Sequence, residues 1–343
     1  MRNQRDWSRR QFLGKVALAG TAALVGLPRK SVAAEPPPET TTLRLGFRPG
    51  LICHAPLYLA EEFLRAEGFT DVGYINKPSS IAFRKAVADG EAQFHMGYAA
   101  TTITLLEAGD PIVLLAGVHT GCLELFGTNR VRAIRDLKGK VVSVLELGGT
   151  QHVFLSSMAA YVGLDPRKEI NWVTHSPDEA TRLLAEGRID AFLAVPPQAQ
   201  ELRARKIGHV VVNTMTDRPW SQYFCCFVAG NREFVRKHPV ATKRAVRAIL
   251  KAADTCGRES ERTARFLVEK GHRKAVDSDY VLQAMNEMKM AYTQWRDYDH
   301  EDTIRFLSLR LREAGMIKSS PQKIIAEGTD WRFLKELKKE MKG

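Results

Sequence analysis

Two successive runs of alternating strand-like and helical segments constrain the fold of this chain more than any other feature. The first run has strand-like segments at Leu43–Phe47, Val72–Asn76, Phe94–Gly97 and Ile112–Val118. Helical segments lie between them at Ala55–Glu67, Ser80–Asp89 and Ala100–Ala108. Short β-branched segments separated by helices predict a parallel sheet with crossover helices.

The same alternation returns in the second run. Its strand-like segments are Val141–Leu145, Ile170–Val173, Ala191–Ala194 and His209–Val212, and its helical segments are Gln151–Val162, Asp178–Glu186 and Gln198–Lys206. The repeat is also local, because Val87–Phe94 resembles Leu184–Ala191 at an offset of 97 positions. Each copy is a helix end, a glycine C-cap and a buried strand. Two similar α/β lobes are predicted, and ligands favour the boundary between such lobes.

The N-terminus has the features of an export signal. Arg9 and Arg10 lie just before Phe12-Leu13, an apolar run follows from Val16 to Leu27, and small residues end the segment at 31–34. Paired arginines in this position indicate the twin-arginine (Tat) route, which exports folded proteins. A membrane anchor is the alternative, but about twelve apolar residues are too few to span ~30 Å of hydrocarbon. We therefore expect residues 1–34 to be a cleaved Tat signal, the Tat translocase to be a partner, and the mature protein to be periplasmic.

Charge and cysteine usage narrow the classes of partner and cofactor. Removing residues 1–34 takes away seven basic residues and one acidic residue, which lowers the formal charge of +12 by six. The remaining charges alternate in sign along helical stretches, which is typical of solvated faces rather than of a nucleic-acid footprint. Five cysteines are irregularly spaced, and the nine histidines show no ligand spacing such as H-E-x-x-H. An odd count of cysteines argues against a disulfide framework, and we expect no metal and no cofactor.

Three stretches resemble a known family in their order and spacing. Gly50–Glu61 is similar to the family's "APLYLAxE" opening, and Asp89–Gln93 with Met96–Tyr98 is similar to its "GxxDxG" strand and turn. Gly149–His152, ahead of Gly163-Leu164-Asp165-Pro166, opens the helix of the second lobe. Together they resemble the substrate-binding proteins of ABC importers, in the nitrate/taurine class with its sulfonate-binding and NMT1/THI5-like relatives. The resemblance covers about residues 42–260, although Gln93 stands where the family often has Asp.

This resemblance implies a two-lobed α/β fold of the periplasmic-binding-protein type II, with a ligand cleft between the lobes and C-terminal helices that pack back on the first lobe. After a Pro-rich tether at residues 35–42, lobe 1 comprises residues 43–121 and 227–343, and lobe 2 comprises residues 122–226. Hinge strands at the ends of lobe 2 cross between the lobes near Cys122–Phe126 and Tyr223–Cys226.

Candidate ligand contacts follow from where helices begin after strands. Ligands of doubly wound sheets bind beyond the carboxyl ends of the strands, where helix N-termini favour an anion. Glycine at 149 lets the backbone approach a ligand, and Thr150 is expected to cap its helix. The candidates are Cys53, His54, Tyr98, Ala99, Thr101, Gly149, Thr150, Gln151, His152, Val195, Pro196 and Tyr223.

Several candidates also have a purely structural interpretation. Gly-Gly-Thr before a helix is often only a tight turn, and a lone histidine such as His54 or His152 is more often a structural donor. Cys53 and Cys226 are favoured as small buried hydrophobic residues. If Cys225 and Cys226 lie on a strand, they point to opposite faces of the sheet.

The predicted function is capture of a small anionic or polar solute and its delivery to an ABC permease, by a monomer that performs no chemistry. One alternative is an exported enzyme related to thiamin-pyrimidine synthesis. Ser143, Glu146 and His152 are close in sequence, but there is no G-x-S-x-G nucleophile elbow. The other alternative is a periplasmic co-receptor that presents its ligand to a sensor.

Overall fold

The computed structural model describes residues 35–48 and 50–341, so the signal predicted over residues 1–34 lies outside the described residues. The strands of the described part form two five-stranded mixed sheets. The strands are β1 (Thr42–Phe47), β2 (Asp71–Asn76), β3 (Phe94–Tyr98), β4 (Ile112–Thr120), β5 (Glu124–Gly127), β6 (Val141–Val144), β7 (Asn171–Thr174), β8 (Ala191–Ala194), β9 (His209–Asn213) and β10 (Phe224–Asn231).

Helices cover the sheets and form most of the C-terminal third. They are α1 (Ala55–Ala66), α2 (Ser80–Ala88), α3 (Ala99–Glu107), α4 (Thr150–Tyr161), α5 (Pro177–Ala185), α6 (Gln198–Ala204), α7 (Arg232–Lys237), α8 (Pro239–Arg258), α9 (Ser260–Glu269), α10 (Ser278–Thr293), α11 (His300–Glu313), α12 (Pro321–Gly328) and α13 (Arg332–Glu340). Within residues 35–48 and 50–341, no helix combines the length and apolar character needed to cross a membrane.

Both sheets have the same strand arrangement. The first sheet has the order β2-β1-β3-β10-β4, and the second has the order β7-β6-β8-β5-β9. In the first sheet β1 runs parallel to β2 and β3, while β10 is antiparallel to β3 and β4. In the second sheet β6 runs parallel to β7 and β8, while β5 is antiparallel to β8 and β9. The predicted two-lobed α/β architecture is confirmed, and we call the parts built on the two sheets the first and the second lobe.

The local repeat recurs as a shared helix-to-strand turn. Gly90 follows α2 with φ +80°, and Gly187 follows α5 with φ +69°. A positive φ suits glycine because it has no Cβ to clash with the backbone. Both helices also begin in the same way, because the Oγ atoms of Ser79 and Ser176 each accept a hydrogen bond from the amide three residues on. The matching segments of sequence therefore build matching pieces of the two lobes.

The C-terminal helices contact both lobes. Helix α8 packs against α1, and α10 packs against α8 and β4 of the first lobe. Glu287 of α10 accepts hydrogen bonds from Gln200 and Arg203 of α6 in the second lobe, at 2.8 and 2.7 Å. Helix α11 lies along α4, where Phe306 stacks on Tyr223 with ring centroids 4.0 Å apart.

Two crossover segments connect the lobes, and they are hydrogen-bonded to each other. One links β4 to β5, and the other links β9 to β10. The amide of Leu123 donates to Oγ1 of Thr214 at 2.9 Å, and the amide of Thr214 donates to the carbonyl of Leu123 at 3.0 Å. The lobe boundary predicted after residue 226 falls inside β10, which pairs with strands of the first sheet along its length.

Glu124, the first residue of β5 after the first crossover, makes the stability of the protein depend on pH. Its side chain is 1 % exposed, and both of its carboxylate oxygens lack a hydrogen-bond partner. Burial raises the pKa of Glu124 to about 7, against the opposing effect of Arg203 at 3.7 Å, while the negative charges of Glu287 and Asp217 raise it further. Since the folded pKa exceeds the unfolded value of about 4.3, the stability contribution of Glu124 is complete below about pH 4.3 and is lost as the pH rises through 7.

Glu124→Gln tests this pH dependence. At pH 8 we expect the variant to be more stable than the wild type by up to about 4 kcal/mol, and at pH 4.5 we expect this advantage to be nearly absent. Urea denaturation of both proteins at the two pH values measures the difference. A stability difference that is the same at both pH values would contradict the assignment.

Candidate functional site

A cavity of about 50 Å³ lies between the two lobes, at the carboxyl ends of strands from both sheets. The first lobe contributes Arg48, Leu51, Cys53, His54, Ser80, Phe83, Arg84 and Tyr98. The second lobe contributes Leu145, Glu146, Thr150, Gln151, Pro177 and Val195. Cys122 and Leu123 of the first crossover and Cys225 and Cys226 of β10 complete the wall. The space suits a small solute, because a single water needs roughly 10–15 Å³.

Glu146 joins the lobes across this cavity. Its Oε1 accepts a hydrogen bond from the backbone amide of Ser80 at 2.9 Å and another from the Ser80 hydroxyl at 2.7 Å. The amide of Thr150, the first residue of α4, donates to the Ser80 hydroxyl at 3.1 Å. A carboxylate of the second lobe therefore lies at the N-terminus of α2 in the first lobe, a position that favours negative charge.

Arg84 supplies a buried positive charge one turn further along α2. It donates through Nη1 to the carbonyl of Ser80 and through Nη2 to the carbonyl of Tyr98 at 3.3 Å. Gly97 leaves room for the guanidinium, because a Cβ there would lie 2.6 Å from Nη2. Burial lowers the pKa of Arg84 to about 10, so the side chain stays cationic at neutral pH. Arg48 adds a second cation, whose pKa is also lowered by burial.

Three polar atoms of the wall have no hydrogen-bond partner. They are the hydroxyl of Tyr98, Nδ1 of His54 and Nε of Arg84, all on side chains that are almost completely buried. Burial lowers the pKa of His54 to about 4, so its ring is neutral at neutral pH. Buried polar atoms are normally hydrogen-bonded, and unpartnered ones that line a cavity are available to a ligand.

Four buried cysteines lie together on the side of the cavity formed by the first lobe and the crossovers. The sulfurs of Cys122 and Cys225 are 3.5 Å apart. Hydrogen bonds from Cys122 and Cys226 lower the pKa of Cys53, while hydrogen bonds to Cys225 and Cys53 raise the pKa of Cys122. All five cysteines of the chain are free thiols.

The prediction that Cys225 and Cys226 point to opposite faces is wrong. Phe224 pairs with Thr120 and Cys226 pairs with His119, so Cys225 is an extra residue in β10 relative to β4. Such a β-bulge interrupts the alternation of side chains. As a result both cysteines line the same cavity.

Half of the candidate contacts lie in the cavity wall. These are Cys53, His54, Tyr98, Thr150, Gln151 and Val195. The side chain of Gln151 also ties α4 to β8, because Nε2 donates to the carbonyl of Leu193 at 3.2 Å. Contact of these residues with a ligand remains a prediction.

The other candidates lie outside the wall. Ala99 and Thr101 are buried in α3, and Pro196 is buried before α6. His152 packs against Trp172 and accepts a hydrogen bond from the amide of Gly148. Tyr223 stacks on α11, as described above. Gly149 borders the wall, where a Cβ would lie 2.3 Å from the Glu146 side chain.

The local geometry of the α4 turn differs from the expectation. Gly149, not Thr150, is the N-cap residue, and no side chain caps the helix. The positive φ belongs to Gly148 at +77°, whereas Gly149 has φ −78°. Gly149 is therefore needed for space beside Glu146 rather than for an unusual backbone conformation.

Sequence reasoning missed Ser80, Arg84 and Glu146. Ser80 follows β2 and Glu146 follows β6, so the rule that ligands bind at the carboxyl ends of strands points to both positions. Arg84 lies one helical turn after Ser80, which places it on the same helix face. The sequence pattern therefore points to each of these positions, but it does not indicate that Ser80 of the first lobe contacts Glu146 of the second.

Two α/β lobes joined by two crossovers, with a cavity between them, define the class of periplasmic binding proteins. The chain belongs to the NMT1-like family, whose model matches residues 36–268. The predicted resemblance to substrate-binding proteins of ABC importers is confirmed at the level of this class. No curated protein matches the chain.

Solved structures share the fold at low sequence identity. The periplasmic nitrate-binding protein NrtA from Synechocystis PCC 6803 matches with a TM-score of 0.71 and 18% identity, covering 90% of this chain and 90% of that chain. A sulfonate-binding SsuA from Methylobacillus flagellatus KT matches with a TM-score of 0.67 and 18% identity, covering 88% and 94%. The desulfurization enzyme DSZB matches with a TM-score of 0.58 and 15% identity, covering 87% and 99%.

Proposed function

We propose that this chain is an extracytoplasmic binding protein that captures a small anionic solute between its lobes and delivers it to an ABC permease. The observation that carries the proposal is the cavity between the lobes, with the buried guanidinium of Arg84 in its wall. The solute binds without chemical change, and closure of the lobes favours the liganded state. Nitrate binding by NrtA and sulfonate binding by SsuA support this class of solute.

The groups around the cavity favour an anion over a neutral or cationic solute. Arg84 and Arg48 are cationic, and the helices α2 and α4 begin at the cavity wall. The Tyr98 hydroxyl adds a donor that has no partner in the protein. Glu146 opposes an anion by its charge, but its carboxylate already accepts hydrogen bonds from the N-terminus of α2. A bound anion can therefore use the remaining donors.

The proposal places the mature protein in the periplasm as a monomer, after export by the Tat route. Transport is favoured over catalysis because the residues considered for a nucleophilic site do not come together in the cavity wall. The hydroxyl of Ser143 is 3.1 Å from Nδ1 of His175, and neither Ser143 nor His152 is part of the cavity wall. The similarity to DSZB is one of fold alone.

A thermal-shift experiment tests the anionic solute. The probes are nitrate and methanesulfonate, each added to the mature protein, with dimethyl sulfone as an uncharged analogue of methanesulfonate. An anion at ~100 times its Kd stabilises the folded protein by about 2.7 kcal/mol, which raises Tm by several degrees. We expect at least one anion to raise Tm and dimethyl sulfone to have no effect.

The outcomes separate the two parts of the proposal. Stabilisation by uncharged or cationic solutes alone would contradict the choice of an anion and leave the binding role intact. A probe that is converted into a product during incubation, detected by mass spectrometry, would contradict the binding role itself.

A further inference from the structure

Two groups of metal-ligand atoms share the Cys53 sulfur. One group consists of Cys53, Cys122 and His119, and the other of Cys53, His54 and Cys226. Within each group the donor atoms lie within 4.8 Å of one another, and every member is buried. The Cys225 sulfur adjoins the first group through its 3.5 Å contact with Cys122. Four sulfurs and two imidazoles are therefore linked through the Cys53 and Cys122 sulfurs.

One ring nitrogen of His119 is left without a hydrogen bond. Its Nδ1 donates a hydrogen bond to the carbonyl of Thr120 at 2.6 Å, which leaves Nε2 as the nitrogen with a free lone pair. This Nε2 is buried and has no hydrogen-bond partner. Histidines that bind metals commonly donate their second ring nitrogen to a carbonyl or carboxylate in this way. Nothing in the hydrogen bonding of the described residues otherwise explains the bare nitrogen of His119.

We propose that Cys53, Cys122 and His119 bind a thiophilic metal ion of the Zn²⁺ or Cu⁺ type, with Cys225 as a further ligand. Thiolates select these ions over hard cations such as Mg²⁺ and Ca²⁺. In a tetrahedral site with metal–sulfur bonds of about 2.3 Å, neighbouring sulfurs lie about 3.8 Å apart. The 3.5 Å separation of Cys122 and Cys225 is close to this value.

The surroundings provide access and charge balance for such a site. All four cysteines line the cavity between the lobes, so an ion can enter from the cleft. Several thiolates around one ion carry excess negative charge, and Arg84 lines the same cavity as Cys225 and Cys226. The positive charge of the guanidinium therefore compensates the part of the thiolate charge that the metal ion does not neutralise. The site does not depend on the identity of the solute, and its test uses no solute.

Metal titration of the reduced mature protein tests the proposal. We expect uptake of about one equivalent of Zn²⁺ or of Cu⁺, measured by competition with a chromogenic chelator. Co²⁺ should replace Zn²⁺ and produce the intense thiolate-to-cobalt charge-transfer absorption. This absorption identifies sulfur ligands in the wild-type protein without any substitution.

Two variants locate the ligands. Cys53→Ser should weaken Zn²⁺ binding by at least about 100-fold. Loss of a residue that only hydrogen-bonds to a ligand already lowers metal affinity by up to about 100-fold, and Cys53 is itself a ligand in the proposal. Cys256→Ser is the matched control, because Cys256 is a buried thiol of α8 that belongs to neither donor group. It should bind the metal like the wild type, and circular dichroism establishes that both variants are folded.

Three results would overturn the proposal. The first is a reduced wild-type protein that takes up neither Zn²⁺ nor Cu⁺ and gives no cobalt–thiolate absorption. The second is wild-type affinity in a folded Cys53→Ser variant. The third is a disulfide between Cys122 and Cys225 in the protein isolated from the periplasm, found by peptide mass spectrometry, together with no metal binding after its reduction.

Discussion

Gly121→Ala is expected to lower the free energy of unfolding by about 3 kcal/mol or more, the upper range for overpacking. Gly121 lies in the crossover from β4 to β5, directly against the crossover from β9 to β10. A Cβ at this position would lie 2.0 Å from the carbonyl oxygen of Thr214 and 2.8 Å from the amide nitrogen of Met215. Both atoms belong to the backbone, so no side-chain rotation relieves the clash and the two crossovers must separate.

Separation of the crossovers also breaks the hydrogen bonds that join them. The amide of Thr214 donates to the carbonyl of Leu123, and the Thr214 hydroxyl donates to the same carbonyl at 2.8 Å. Urea denaturation measures the loss of stability. Gly73→Ala is the control, since a Cβ there meets the flexible side chain of Arg44 rather than backbone. Equal stabilities of the two variants would contradict close packing of the crossovers.

The secondary structure of the two α/β runs was predictable because their elements have strong local signals. The pattern predicts helices at Ser80–Asp89 and Gln151–Val162, and the structure has them at Ser80–Ala88 and Thr150–Tyr161. Glycines at the ends of helices and β-branched strands mark these boundaries without help from tertiary contacts. The internal repeat also predicted that there are two lobes, because a second copy of the pattern needs a second sheet.

The antiparallel strand in each sheet had no such local signal. β5 belongs to the second sheet and β10 to the first, so each crossover delivers its strand into the sheet of the other lobe. Only the resemblance to a known family indicated that the chain crosses between lobes. The periodicity of a strand reports which faces are buried, and it does not report which sheet the strand joins.

The candidate site was only partly predictable for the same reason. Thr150 and Tyr98 follow from the rule that helices begin at the ligand edge of a sheet. Contact between Ser80 and Glu146 joins residues 66 positions apart in different lobes. The cysteine cluster joins Cys53, Cys122 and Cys225, which are remote in sequence, and a bulge in β10 turns Cys225 into it. Ligand-spacing motifs detect metal sites built on one segment, and this cluster is built on three.

The crossovers also explain why the cluster lies beside the cleft. Cys122 directly follows Gly121 in the first crossover, and Cys225 comes directly after the first residue of β10, where the second crossover ends. Both positions adjoin the crossovers, which are the segments predicted to act as the hinge between the lobes. The cysteines therefore lie where the first lobe, the crossovers and the cavity meet.

Arg84→Met is expected to weaken anion binding by roughly 10- to 100-fold, because a hydrogen bond to a charged group contributes about 1.5–3 kcal/mol. The probe is whichever of nitrate and methanesulfonate raises Tm of the wild-type protein. Methionine keeps a similar apolar stem but removes the guanidinium, whose carbon lies 4.6 Å from the centroid of the Phe83 ring. Isothermal titration calorimetry measures the change in Kd.

Arg84→Met should lose anion affinity without losing free energy of unfolding. The hydrogen bonds of the Arg84 side chain go to carbonyl groups, and its Nε has no partner. Removing the guanidinium relieves the desolvation cost of a buried cation, which offsets the loss of these two hydrogen bonds. Arg65→Met is the matched control, because it removes the same charge from an exposed pair with Glu61. Unchanged anion affinity in Arg84→Met, or an equal loss in Arg65→Met, would show that Arg84 does not select the anion in the cleft.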